Sequence, residues 1–318
     1  MKPKLTQGLK SNDSHPLPKF SFSGHETFVF RHGWLKKAYD GIQEDQRIFT
    51  RDEALIVLGV GKNMVRSIRH WALATCILEE EPGTRGMSLQ PTKFGEFLFG
   101  KHDPYLEDLA SLWLLHWKIS TNLLRCTTWA WALNMPTTKF TRESLLAHFQ
   151  EVLASRTDGR ISEHTLRRDI DCFLRTYVSS KVQHSTILED SLDCPLVELR
   201  LIVERSPGDF EFRRGQQDGL PFAIFLYALL DFWERTASGR ESLAFSEIAY
   251  TTNSPGIIFK LDENSLTLYL EQVEETSAGA LLYTETAGIQ QVYRRHAIDG
   301  VGLLSRYYEH SNPIVQGV

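Results

Sequence analysis

The chain has no Cys-x-x-Cys pair. Its four cysteines, Cys76, Cys126, Cys172 and Cys194, lie far apart among apolar neighbours, which excludes a zinc ribbon and points to reduced, buried thiols. No apolar run reaches the roughly 18 residues of a spanning helix. No apolar core follows the first lysines either, so neither a membrane partner nor a signal peptide is expected, and the location expected is cytoplasmic. Net positive charge is missing too: the formal charge of −5 excludes a uniformly basic nucleic-acid coat, so any DNA contact must come from local patches. The familiar catalytic motifs are absent. Gly59-Val60-Gly61-Lys62 has Ile56 and Asn63 where a nucleotide phosphate loop needs Gly and Ser or Thr. His25-Glu26 followed by His32 lacks the spacing of paired zinc histidines, and no metal site is expected from it. There is no Gly-x-Ser-x-Gly elbow and no deaminase zinc motif.

Acid is also missing from one stretch, and that absence is the most informative. Between Ala54 and Leu78 there is no Asp or Glu. Thr50 with Glu53 forms a candidate capping box. Ala54, Leu55 and Leu58 give a first helix its apolar stripe, Gly59 to Gly61 a turn, and Val65, Ile68 and Ala72 the inner face of a second helix. Lys62, Asn63, Arg66 and Arg69 are then left outside, with His70 following, and an open face with only positive charge suits phosphate. Ile77 to Gln90 reads as a hairpin with Arg85 at its tip, and Thr92 caps the next helix. Helix, turn, helix and hairpin make a winged helix; the bland reading is a helical hairpin with a solvated basic face.

At 318 residues the chain has room for two or three domains. Four segments are expected. Residues 1–19 form a flexible tail and 20–102 a winged-helix DNA-binding domain. A helical domain with a second helix-turn-helix-like unit occupies 103–185, and an α+β C-terminal domain with a winged-helix-like unit occupies 186–318. The fold class is mainly α with small β-wings. Trp113, Trp117, Trp129 and Trp131 read as a core between helices rather than a base-stacking platform. In the second unit Thr141 and Ser162 cap helices on either side of a polar loop, Thr157 to Arg160. Arg167, Asp171 and Arg175 are spaced to pair along the surface; the rival reading turns His164, Arg167 and Arg168 towards DNA. After Pro195, residues 197–204 and 209–213 read as strands, with Asp209, Glu211 and Arg213 the nearest approach to a nuclease acid cluster. The last unit shows Glu271, Glu274 and Glu275 where a reading helix would meet phosphate, so a protein contact is expected there, a second copy of the chain included.

The segment Ser23-Gly24-His25-Glu26-Thr27-Phe28-Val29-Phe30-Arg31-His32-Gly33-Trp34 mixes titratable groups with aromatics. His25, Glu26, Arg31 and His32 are candidate catalytic residues, able to activate water and stabilise charge on a phosphate. A hydrogen-bonded lead-in strand accounts for them equally well. Lys36 and Lys37, just beyond, are candidate DNA contacts. Two motifs, SGHETFVFRHGWLKKA and LGVGKNMVRSIRHWA, resemble the SspB-like DNA nickase family of bacterial single-strand DNA phosphorothioation systems, a family formerly of unknown function. The resemblance covers the N-terminal third. It implies a DNA-binding subunit of an anti-phage modification system that nicks one strand for sulfur incorporation. The partners it implies are a cysteine desulfurase, an ATPase and a sulfur-inserting enzyme, with a divalent metal ion if the chain is a nuclease. It assigns no catalytic position. A non-enzymatic winged-helix transcription regulator and an assembly scaffold are the readings from other classes.

Overall fold

The computed structural model describes residues 20–154, 161–179 and 194–311. The expected tail at 1–19 and the polar loop Thr157 to Arg160 lie outside the described residues. Helix α1 (Trp34–Glu44) buries Trp34, Leu35, Ala38 and Ile42. The capping box expected at Thr50 does not form. Residues 48–50 make a 3-10 turn in which the Thr50 hydroxyl donates to Arg47 O, and the single-turn helix α2 (Ala54–Val57) begins without a side-chain cap. The stripe shrinks accordingly: Ala54 and Leu58 are buried, whereas Leu55 is 40% exposed. Gly59 supplies the positive φ of the corner at 63°, and Gly61 is the extended residue before α3 (Lys62–Ala74). Val65, Ile68, Trp71 and Ala72 face inward, as the spacing predicts. Strands β1 (Leu78–Glu80) and β2 (Leu89–Pro91) pair antiparallel. Leu89 N–H also donates to Gln46 O, which adds the stretch after α1 to the outer edge of the hairpin. Thr92 accepts from Gly95 N–H at the start of α4 (Lys93–Gly95), which runs on as a π-helical stretch, Glu96–His102.

Two helices, α5 (Leu109–Thr121) and α6 (Thr127–Leu133), follow. Next come β3 (Lys139–Phe140), α7 (Arg142–Ala154) and α8 (Glu163–Tyr177). Ser162 caps α8 by accepting from Thr165 N–H, and Leu166, Ile170, Phe173 and Tyr177 form its buried face, both as read from the sequence. The strand expected from residue 197 starts later, because Pro195–Leu199 coils into a 3-10 helix. The hairpin is β4 (Ile202–Ser206) with β5 (Asp209–Phe212), and β5 pairs on its other edge with β3. This sheet therefore draws strands from both sides of residue 185.

The remainder comprises α9 (Phe222–Ala237), β6 (Ser242–Ala244), α10 (Phe245–Tyr250), α11 (Pro255–Ile258), α12 (Glu263–Glu271) and α13 (Val273–Thr276). The hairpin β7 (Leu281–Thr286) and β8 (Ile289–Arg294) and a closing helix, α14 (Gly300–Ser311), complete it. The fold is thus mainly helical with small antiparallel sheets. One order recurs: helix, strand, helices, hairpin, with the lone strand paired to the second strand of the hairpin. It gives the sheets β3-β5-β4 and β6-β8-β7, and Gln46 beside β2-β1 is its reduced form.

Helix α5 holds the parts together. Trp113 and Trp117 are fully buried, as is Trp129 on α6, so the tryptophans are core. His116 Nε2–H donates to Ile258 O (3.0 Å), and Tyr177 O–H donates to His116 Nδ1 (2.8 Å). Burial pushes that imidazole down to about 4, so it stays neutral. Trp117 donates to Asp231 on α9 (2.9 Å), and Asn122, just past the helix, donates to Ala74 O on α3 (3.0 Å).

Candidate nucleic-acid interface

The segment 23–28 lies between α3 and α8 and is pinned from both sides. Ser23, Glu26 and Thr27 are left-handed, with φ of 61°, 48° and 68°. For residues other than glycine this costs about 1–2 kcal/mol each, so surrounding bonds must impose it. On the α8 side Ser23 donates to Asp169 Oδ1 through its N–H (2.9 Å) and its hydroxyl (3.3 Å), and Thr128 donates to Oδ2 (3.1 Å). Arg175 donates to Thr27 O (2.5 Å). On the α3 side the Trp71 indole donates to Phe28 O (2.9 Å). Gly24 is fixed by space: a Cβ there would stand 2.4 Å from His70 Nδ1.

This pinning separates the four catalytic candidates. His25 is 2% exposed, its Nε2 lies 3.2 Å from Asp169 Oδ1, and its Nδ1 accepts from Thr27 N–H (3.0 Å). Burial opposes a charge on the ring while Cys172 and Asp169 favour one, and the Thr27 N–H aimed at Nδ1 decides for the neutral ring with its proton on Nε2. A second proton would have to go on Nδ1 and would cost the Thr27 bond. His25 is thus a fastening of the loop, enclosed beside Trp71 and Trp129. Glu26 is the one that reaches the surface beside α3, 3.5 Å from Arg66 Nη1. Arg31 stacks over Trp34, and His32 lies 3.7 Å from Glu198, outside the pinned loop.

The eight expected DNA contacts also divide. Lys62, Asn63 and Arg66 are exposed on the opening turns of α3, and Arg85 is exposed at the hairpin tip with a φ of 53°. Arg69, placed on the open face by its spacing, is instead folded onto the hairpin, donating to Gly86 O (3.0 Å) and lying 3.4 Å from Glu80. His70 is buried, and burial with His25, Arg125 and Arg69 nearby pushes it down to about 3. A neutral ring packed on Gly24 offers phosphate nothing. Lys36 pairs with Asp40 (2.5 Å), and Lys37 donates to Leu58 O (2.9 Å) at the end of α2.

Beyond the loop, α8 adds a second basic face. Thr27, Arg142, Arg168, Asp171 and Arg175 line an open cavity of about 320 Å³. The carboxylate ladder expected along α8 does not form. Arg167 turns one turn back to Glu163, the Asp171 carboxylate goes to Arg142 on α7 (2.8 Å each), and Arg175 meets the backbone oxygens of Asp171 and Thr27. Arg168 is exposed and has no ion pair among the described residues. Sequence reasoning valued the His-Glu segment but missed that Asp169 anchors it. The signal was an acid on the apolar face of α8, between Leu166 and Ile170.

Among the described residues no three His, Cys, Asp or Glu side chains converge as a metal ion needs. Asp209 accepts from Ser206 (2.5 Å), and Glu211 and Arg213 pair with Arg205 and Asp218. No described helix is long and apolar enough to cross a membrane.

The family described as "Protein of unknown function (DUF4007)" matches residues 22–308. Two crystal structures of SspB, one of them magnesium ion-bound, superpose with TM-scores of 0.81 and 0.79. Each is 30% identical, and the match spans 94% of this chain and 89% of the other. No curated protein matches the chain. With nearly the whole chain aligned at that identity, the chain belongs to the DUF4007 family and is an SspB-like member of it.

Proposed function

We propose that this chain is the DNA-binding component of a DNA phosphorothioation system, that it docks on duplex DNA through a winged helix at residues 34–102, and that it nicks one strand. The observation that carries DNA binding is the opening of α3, which has no acid of its own: Lys62, Asn63 and Arg66 are exposed there, and Arg85 is exposed on the hairpin. The basic cavity of α8 supports a second backbone contact, because Arg168 and Arg175 sit on the far side of the same pinned loop. In this reading Lys62 and Arg66 bind phosphates, and Arg69 serves by fixing the angle between α3 and the wing.

The resemblance to the SspB-like nickases supports strand cleavage. The residue best placed for it is Glu26, a surface carboxylate on a strained loop with Arg66 at 3.5 Å. Glu26 can take a proton from water while Arg66 stabilises charge on the attacked phosphate. The other proteins of the system act as partners. Incubating supercoiled plasmid with the protein and magnesium tests the whole reading. Open-circle product from the parent, lost in Glu26→Gln with DNA affinity intact, is the expected result. Tight DNA binding without open circles in the parent would favour a non-enzymatic winged-helix regulator.

A further inference from the structure

The hydrogen-bond pattern that ends α2 also ends α11, as it ends α3 at Cys76 and α13 at Ala278, and at α2 and α11 it turns the chain into another helix. In the first, Leu58 N–H bonds to Ala54 O, Gly59 N–H to Ile56 O, and Val60 N–H to Leu55 O. In the second, Phe259 bonds to Pro255, Lys260 to Ile257 and Leu261 to Gly256 in the same pattern. Gly59 has a φ of 63° and Lys260 a φ of 55°. This is the position after a helix where glycine avoids a penalty and lysine does not. The lysine is nonetheless buried, 6% exposed, and it lines a cavity of about 460 Å³. Its ammonium donates to Leu133 O and lies 4.0 Å above the Phe212 ring, which leaves two of its three protons unassigned. A buried ammonium with protons to spare at the wall of a cavity is a group a ligand can use.

The rest of the cavity says what that use is. Arg214 lines it without an ion pair among the described residues, and Thr137, Thr251 and Thr252 line it with hydroxyls. Tyr250 lines it too, half exposed, its hydroxyl turned away to Glu263. No carboxylate is on the wall. Two cations, several threonines and a tyrosine, in a volume within the range of about 300–1,000 Å³ typical of small-ligand sites, suit one nucleotide with a terminal phosphate. We propose that this cavity binds a phosphate monoester carried on a single nucleotide, with Lys260 and Arg214 holding the phosphate and Tyr250 flanking the base. Burial pushes Lys260 down to about 7, with Arg214 adding to the effect, and a bound anion reverses that pressure.

The chemistry has two sources, a free mononucleotide or the 5′-phosphate end of a cut strand, and titration calorimetry of the full chain at pH 7 separates them. The probes are AMP, adenosine, and a dinucleotide with and without a 5′-phosphate. Either AMP or the phosphorylated dinucleotide should bind, while adenosine and the unphosphorylated dinucleotide should not. AMP binding assigns the free ligand, and binding of the dinucleotide alone assigns the strand end. Arg214→Gln and Lys260→Met should each weaken binding about tenfold or more, and Arg214, being exposed, can be changed without threatening the fold. Lys62→Ala with Arg66→Ala should leave it unchanged. Adenosine binding as tightly as AMP, no probe binding to the folded parent, or undiminished binding in both cavity variants would overturn the proposal.

Discussion

Two corners of one chain share a backbone and part company in chemistry. After α2 the chain turns on Gly59 and starts α3 with Lys62, Asn63 and Arg66 exposed; after α11 it turns on Lys260 and starts α12 with Glu263. The first corner keeps its cations outside and its interior neutral. The second puts a cation inside and acids outside, with Glu271, Glu274 and Glu275 following. The hydrogen-bond pattern is common to both, so the fold does not decide which surface could meet a phosphate. The side chains hung on that pattern decide it.

The largest effect should come from the buried cation. Lys260 is lowered from its ordinary 10.5 to about 7, so the unfolded chain holds more protons than the native one between those values. Its contribution to stability therefore rises with pH across that window. Lys260→Met removes this dependence. The stability difference between parent and variant should move in the parent's favour by up to about 1.4 kcal/mol per pH unit from pH 7 to 10.5. Urea unfolding in a buffer series reads it, and parallel curves would mean that the ammonium is not buried. His70 acts at the other end. Held at about 3 against an ordinary 6.5, it makes stability fall as pH drops from 6.5 towards 3.

DNA affinity sharpens the contrast between α3 and α12. Lys62→Ala with Arg66→Ala should weaken duplex binding about tenfold or more and flatten the salt slope by about 0.9 per lost contact. Glu263→Gln with Glu271→Gln should change neither quantity by a comparable amount. Equal effects from the two pairs would erase the distinction. Deleting everything from Ser242 is not a fair test of a protein contact there, because Phe259 packs on Trp113 and Trp117 and α14 packs on α9.

Smaller again is the corner itself. Gly59→Ala should cost about 1–2 kcal/mol by thermal or urea unfolding, and Lys260→Gly, which relieves the same backbone strain, should be more stable than Lys260→Ala by a similar amount. Smallest are the surface charges of α8. Arg167→Ala loses only an exposed pair with Glu163, about 0.5 kcal/mol or less, and should leave DNA binding alone. Arg168→Ala should leave stability alone and reduce the salt slope by about 0.9.

Much of the local structure was legible because its causes are local. Ser162 and Thr92 cap helices a few residues away, and the spacing of Leu166, Ile170, Phe173 and Tyr177 marks one face of α8. The corner between α2 and α3 was readable from two glycines and a stretch without acids. What failed depended on partners distant in sequence. Nothing near Lys139 announces its pairing with Glu211, and nothing near Arg175 announces Thr27 O. Depth was the hardest quantity. His25 and His70 carry the same atoms as surface histidines, and only Gly24, Trp71 and Asp169 together make them interior. The closing helix Gly300–Ser311 had no reading at all, and Lys260 stayed unnoticed because its place in the corner is visible only beside Gly59.

Helix α5 sets how the chain comes apart. Through His116 it grips α8 and the end of α11 at once, through Trp117 it grips α9, and through Asn122 the end of α3. None of these neighbours can leave without uncovering a satisfied polar group or a buried indole on that one rod. The three repeated units consequently share a single opening free energy instead of owning three. Amide exchange should find the slowest protons along α5, with the backbones of α3, α8 and α9 released together.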